Sequence, residues 1–201
     1  MPPVTLALLA ANVVIFLLQG TVGTELLVWF ALWPPGLLGA PPFEPWQLVS
    51  YGFLHGGLMH LGFNMLALYM FGPEIERLFG SRFYALYYFA CVVAAALTHM
   101  IVTQWSSVPP GPTVGASGAV FGLLLAFGWY FPHRRLLLIF PPIPLPARVF
   151  VALYGALELV LGVTGTAQGV AHFAHLGGML GGWLMIEYRR RLRWPQGPRT
   201  R

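Results

Sequence analysis

The sequence predicts an all-α polytopic membrane protein, a bundle of six transmembrane helices, on three observations. Of its 201 residues, 57% are hydrophobic and only 8% charged, against roughly a quarter charged in soluble domains. A water-soluble globule could not cover its exterior with so few charges. Six apolar stretches, bounded by Pro, Gly or charge, come close to the roughly 20 residues that a helix needs to cross a bilayer. Finally, every basic residue falls on one side of the resulting topology.

The first stretch, residues 4–19, is as hydrophobic as a secretory signal but has no basic leader and no small-x-small cleavage site, so it reads as a retained span. The connection after it, TELLVWFALWPPGLLGAPPFEPW, is apolar, aromatic and broken by prolines. It is expected to lie partly in the membrane interface with Trp29, Trp33 and Trp46 at headgroup depth, or else to be a poorly formed seventh span. The remaining spans are expected at 46–71, 82–104, 115–131, 147–163 and 169–188. Residues 1–188 then form the core, and 189–201 a basic, disordered tail.

All eleven basic residues are Arg. Arg77 and Arg82 fall in one loop, Arg134, Arg135 and Arg148 in another, and the rest in the tail. Basic residues beside spans resist translocation and so mark the cytoplasmic side. Six crossings put both termini there, and the three opposite connections carry no Arg or Lys. A net charge of +5 distributed this way reads as membrane topology and gives no nucleic-acid face. Arg without Lys, with 18 Pro and 24 Gly, is the composition of a GC-rich prokaryotic genome, so the expected location is a bacterial plasma membrane. Cys91 is the sole cysteine and reads as packing.

Polar groups at membrane depth are costly and call for a functional reading. On this topology the second, fourth and sixth spans run from outside to inside. His55, His60 and Asn64 lie in the first half of the second, Ser117 at the start of the fourth, and His172 and His175 near the start of the sixth. All therefore lie in the outer half. Gly115 and Gly118 leave the Ser117 hydroxyl and nearby N–H groups approachable at a helix start, where the dipole favours negative charge. Glycines at this spacing equally serve close helix packing. His175 is a candidate base for a serine nucleophile, and Gly178 and Gly182, four apart, would let its helix press on a neighbour. His60 and Asn64 share a helix face and could donate to an oxyanion or simply join helices. His55 falls on another face and reads as structural. His172 and His175 could instead be metal ligands with His55, His60 or Glu158, although no HExxH pattern is present. With no Asp in the chain, a Ser-His pair is expected, its imidazole oriented by helix packing. Glu158 is expected midway along the fifth span with no evident link to His175, hydrogen-bonded inside the bundle or at a water-filled cavity.

Taken together, HGGLMHLGFN (55–64), GASG (115–118), AHLGGMLGG (174–182) and PEIERLFGS (73–81) resemble the motifs of the rhomboid family of intramembrane serine proteases. The resemblance covers nearly the whole chain and implies a minimal six-span bundle of rhomboid type. It implies Ser117 as nucleophile and His175 as general base, with an oxyanion site from the Ser117 and Ala116 backbone, His60 and Asn64. It implies no cofactor and no metal. The partners it implies are transmembrane protein substrates in the lipid bilayer, cleaved through an acyl-enzyme after a small side chain, with the fifth helix and the 164–168 connection as gates. One departure is Gln47, which follows Trp46 where the family often has Arg. A metal-ion transporter using the histidines, and a catalytically dead relative that sorts membrane proteins, are the competing readings.

Overall fold

The computed structural model describes residues 1–35, 39–104, 111–137, 142–165 and 171–192. The expected tail beyond 192, most of the 164–168 gate and the first residues of the expected sixth span lie outside them. The described chain is helical: α1 (Pro3–Val22), α2 (Glu25–Phe30), α3 (Gln47–Ser50), α4 (Leu58–Phe79), α5 (Ser81–Thr103), α6 (Ser117–Tyr130), α7 (Ala147–Thr164) and α8 (His172–Arg191). A small antiparallel hairpin, β1 (Arg135–Leu137) with β2 (Pro144–Pro146), joins α6 to α7. Helices α1, α5 and α7 are long and apolar enough to cross a membrane. Helix α6 is apolar but shorter, and α4 and α8 carry charges in their last turns. Leu17 of α1, Phe63 of α4 and Val160 of α7 are exposed, a surface suited to a lipid solvent.

The centre is α5, α6 and α8, held together by small residues. Helix α5 buries Tyr84, Tyr87, Tyr88, Cys91, Ala95 and Ala96. On α8, Gly177 and Gly181 face Thr98 and Ala94 of α5, whereas Gly178 faces the Gly118 backbone of α6 and Gly182 faces Tyr87. A Cβ on Gly178 would overlap the Gly118 carbonyl, which cannot turn aside as a side chain could. On α6, Gly118 meets Ala95 and Gly122 meets Cys91, and the Tyr87 hydroxyl donates to the Gly122 carbonyl at 2.6 Å. Such close approach is how helices gain contact where lipid removes most of the hydrophobic drive.

The expected second span, 46–71, is corrected by the structure. It is divided into α3, a 3₁₀ turn at Tyr51–Phe53, an irregular stretch, and α4 from Leu58 to Phe79. His55 therefore precedes the helix instead of lying in it. Its backbone is satisfied from α1: the Gln19 amide accepts from His55 N at 2.9 Å and donates to His55 O at 3.2 Å. The Tyr51 carbonyl accepts from Gly115 N at 2.9 Å, so this stretch is braced against the chain entering α6. At its other end α4 runs through Pro73, because its last turns bury Ile75, Glu76 and Phe79. Helix α8 continues three residues past the expected core boundary. Arg189 is buried, donates to Leu78 O at 3.2 Å and lies 4.7 Å from the Phe79 ring centre.

The first long connection holds α2 and α3. Trp29 and Trp46 are exposed, and Trp33 is half-buried. Gln47, the residue after Trp46, is buried, accepts from Trp33 N at 3.1 Å and donates to Pro42 O at 3.3 Å. The Leu32–Thr113 bridge, with both N–H···O contacts at 3.0 Å, ties this connection to the segment before Ser117.

Candidate active site

Ser117 is the first residue of α6, so its N–H has no intrahelical acceptor. Ahead of it, Gly115 has φ +125°, and a Cβ there would come within 2.7 Å of His60 Cε1 and Nε2. Both the backbone conformation and the nearness of His60 require glycine at this position. The same point lies 3.7 Å from Ser117 Oγ, so His60 and the serine hydroxyl flank one small space. His60 Nδ1 accepts from Gly56 N at 3.3 Å. That leaves Nε2–H as the donor on the Gly115 side.

His175 lies in the first turn of α8, and its Nε2 is 2.8 Å from Ser117 Oγ. Gly178, one turn further along, is the reason the two helices come close enough. Phe121, one turn along α6 from Ser117, stacks on the imidazole with ring centroids 4.3 Å apart and planes within 7°. Sequence reading missed Phe121, although its position four residues after Ser117 puts both on one helix face.

Glu158 is hydrogen-bonded inside the bundle as expected, but the expected lack of a link to His175 is overturned. Its Oε2 lies 2.9 Å from His175 Nδ1 and 2.6 Å from His172 Nδ1, and all three residues are buried. Since a carboxylate only accepts, both imidazoles donate through Nδ1–H, and His175 Nε2 is left to accept from the Ser117 hydroxyl. The signal that could have revealed this was available: an acid in an apolar span needs a partner, and the next span begins with two histidines three apart on one face. These three side chains are also a donor set that could hold a metal ion. However, two ligands of one zinc at 2.0–2.2 Å stand more than about 3 Å apart. The separations here are those of direct hydrogen bonds.

Not every candidate converges. Asn64 is buried, and its amide donates to the His60 carbonyl at 2.9 Å, one turn back. Among the described residues no hydrogen bond joins it to Ser117 or His175. His55 packs edge-on against His60 at 5.2 Å, supporting that ring from behind. His99, which sequence reading did not single out, pairs its Nε2 with Thr113 Oγ1 at 2.8 Å and so braces the strand-like segment leading to Gly115.

Comparison with known proteins places these features in a family. The Rhomboid domain model matches residues 42–191. The mitochondrial Rhomboid protein 1 of Saccharomyces cerevisiae is 33% identical over 150 residues, covering 71% of this chain and 41% of the yeast protein. Rhomboid protease GluP of Bacillus subtilis is 29% identical over 191 residues, 90% of this chain and 34% of GluP. Rhomboid protease GlpG of Serratia proteamaculans is 28% identical over 193 residues, 95% of this chain and 64% of GlpG. The chain thus spans less than two thirds of the length of each of these relatives. It is an integral membrane protein, and it belongs to the rhomboid family.

Proposed function

We propose that the chain is an intramembrane serine endopeptidase that cleaves transmembrane segments through Ser117 and His175. The observation that carries this reading is the 2.8 Å contact between His175 Nε2 and Ser117 Oγ, formed between two separate helices. In this reading α1, α4, α5, α6, α7 and α8 are the six spans of a bacterial plasma membrane protein with both termini cytoplasmic. All Arg residues then lie inside, and the site lies in the outer half of the bilayer.

The chemistry is acyl transfer. As Ser117 Oγ attacks the scissile carbonyl carbon, its proton passes to His175 Nε2. The carbonyl oxygen becomes an oxyanion facing the free Ser117 N–H at the start of α6 and the Nε2–H of His60. The tetrahedral species collapses, the C–N bond breaks, and His175 returns the proton to the leaving amine. Water then attacks the acyl-enzyme with His175 again as base, releasing the acid and restoring Ser117. Asn64 acts through His60, holding the carbonyl of that residue and with it the start of α4. The substrate helix must unwind first, because a backbone still bonded within a helix cannot reach into the site. Helix-breaking residues in the substrate therefore favour cleavage.

In proteoliposomes carrying a model transmembrane substrate, Ser117→Ala and His175→Ala each lower turnover by about 10³-fold or more while the protein still folds. A fluorophosphonate labels the wild type, and Ser117→Ala blocks the labelling. Metal-dependent uptake indifferent to Ser117→Ala would instead identify a transporter.

A further inference from the structure

Glu158 is placed where no packing need explains it. Helix α7 is peripheral: Leu153, Leu157 and Val160 are exposed, and its buried residues are Ala147, Val151 and Glu158. An acid on the inner stripe of such a helix is costly unless it is fully partnered. Its partners are two imidazole N–H groups at 2.6 and 2.9 Å, both from the first turn of α8 and both accepted by Oε2.

We infer that Glu158 is a positioning residue for the proposed reaction, completing a Ser117–His175–Glu158 relay, with His172 as the anchor that holds the carboxylate in place. This rests on the reading of Ser117 and His175 as nucleophile and base. The argument turns on what each neighbour of the His175 ring can fix. Phe121 lies parallel to it at 4.3 Å and so sets its plane. A stacked ring, however, is indifferent to which nitrogen carries the proton and to a half-turn of the imidazole in its own plane. Helix packing through Gly178 sets only where the ring begins. The carboxylate on Nδ1 removes both ambiguities, because a flipped ring, or one protonated only on Nε2, forfeits the bond to Oε2. Only the orientation and tautomer held by Glu158 offer Ser117 a proton acceptor, and the same carboxylate balances the positive charge that forms on the imidazole when it takes that proton.

His172 fits the anchoring part. Its ring stands at 87° to that of His175 with centroids 6.5 Å apart, so the two N–H groups approach one oxygen from different directions. Among the described residues its Nε2 has no hydrogen-bond partner, which suits an acceptor nitrogen in a ring whose single N–H is given to Glu158. Among the described residues no hydrogen bond joins His172 to Ser117, and the atoms nearest a Cβ at Gly115 belong to His60 and Ser117. Its contribution therefore passes through the carboxylate.

The test uses the full chain in proteoliposomes with a transmembrane peptide substrate, comparing wild type, Glu158→Gln, Glu158→Asp and Ser117→Ala. Gln keeps the shape but removes the negative charge that balances the imidazolium, and where its N–H₂ group meets His175 in place of Oε2 it opposes the Nδ1–H tautomer. Glu158→Gln is expected to lower kcat by about 10²- to 10⁴-fold with KM and thermal stability little changed. Glu158→Asp, which keeps the charge on a shorter arm, should recover part of that loss. The spectroscopic signature is the ¹⁵N spectrum of the histidine rings, in which His175 carries its proton on Nδ1 in the wild type and loses that preference in Glu158→Gln. A Glu158→Gln protein with kcat within about threefold of wild type, alongside an inactive Ser117→Ala, overturns the role of Glu158 and leaves the serine protease reading standing. An active Ser117→Ala overturns the underlying reading instead. Should Glu158→Gln fail to fold, the wild-type spectrum decides alone, and a His175 proton on Nε2 overturns the inference.

Discussion

Glu76 and Glu158 are both acids buried among helices, and the difference in their partners separates the framework of this protein from its site. Glu76, near the end of α4, receives Val4 N at 3.0 Å, Thr5 N and Thr5 Oγ at 2.7 Å, and Ser81 Oγ at 2.6 Å. It therefore caps the first turn of α1 and clamps it beside the start of α5, satisfying backbone donors that a helix start leaves open. Among the described residues Glu158 accepts from no backbone N–H. Its partners are two imidazoles, rings whose nitrogens can donate or accept a proton. One carboxylate fixes backbone to backbone at the end of the bundle that carries the Arg residues. The other fixes a ring beside a hydroxyl at the opposite end.

The most damaging way to break this comparison is to separate the helices that make the arrangement around His175 possible. Gly178→Ala places a Cβ onto the Gly118 carbonyl, and neither backbone can yield without moving α8 from α6. His175 and Ser117 separate with them. A displacement near 1 Å costs on the order of 10²-fold in rate, and the repacking is expected to cost about 3 kcal/mol of stability. Turnover of the substrate and thermal unfolding are the measurements. Unchanged activity would show that the 2.8 Å contact does not depend on this glycine.

Glu76→Gln acts at the other end and should show the opposite profile. The amide keeps one acceptor but turns a donor either toward Thr5 or toward Val4 and Ser81, all of which already donate. A loss of about 2–3 kcal/mol is expected, visible as a lower unfolding temperature, with kcat per folded molecule unchanged. Glu158→Gln is expected to lose activity with little change in stability. If both variants showed the same profile, the division between framework and site would fail.

The parts of this division that the sequence disclosed, and those it withheld, follow from range. Apolar length and the placement of Arg reveal helices because each is a property of one segment. Thus α5 falls at Ser81–Thr103 against an expected 82–104, and α7 at Ala147–Thr164 against an expected 147–163. The break ahead of α4 was hidden because Trp46 to Gly57 contains no Pro and no Arg, Lys, Asp or Glu to mark a boundary. What interrupts the helix is long-range: Gln19 holds the His55 backbone and Gly115 takes the Tyr51 carbonyl. Motifs marked Ser117, His60 and His175 because local glycine patterns surround them. Glu158 lies in ALELVL with no such pattern, and only the rotation of α7 against α8 decides that its acid meets His175.

The smallest effect, and the finest test of the comparison, comes from His172. His172→Phe keeps a flat ring of similar size at the start of α8 but removes one of the two N–H donors to Oε2. If the carboxylate serves His175 directly, it remains bonded at 2.9 Å to that ring and loses only an anchor. A single lost hydrogen bond of about 1 kcal/mol then lowers kcat by no more than about fivefold, with KM unchanged. The ¹⁵N signal of His175 should still report its proton on Nδ1. A loss as deep as that of Glu158→Gln would mean that Glu158 and the two histidines act as one network in which the anchor matters as much as the bond to His175. The carboxylate of Glu158 would then resemble Glu76 in depending on every donor around it.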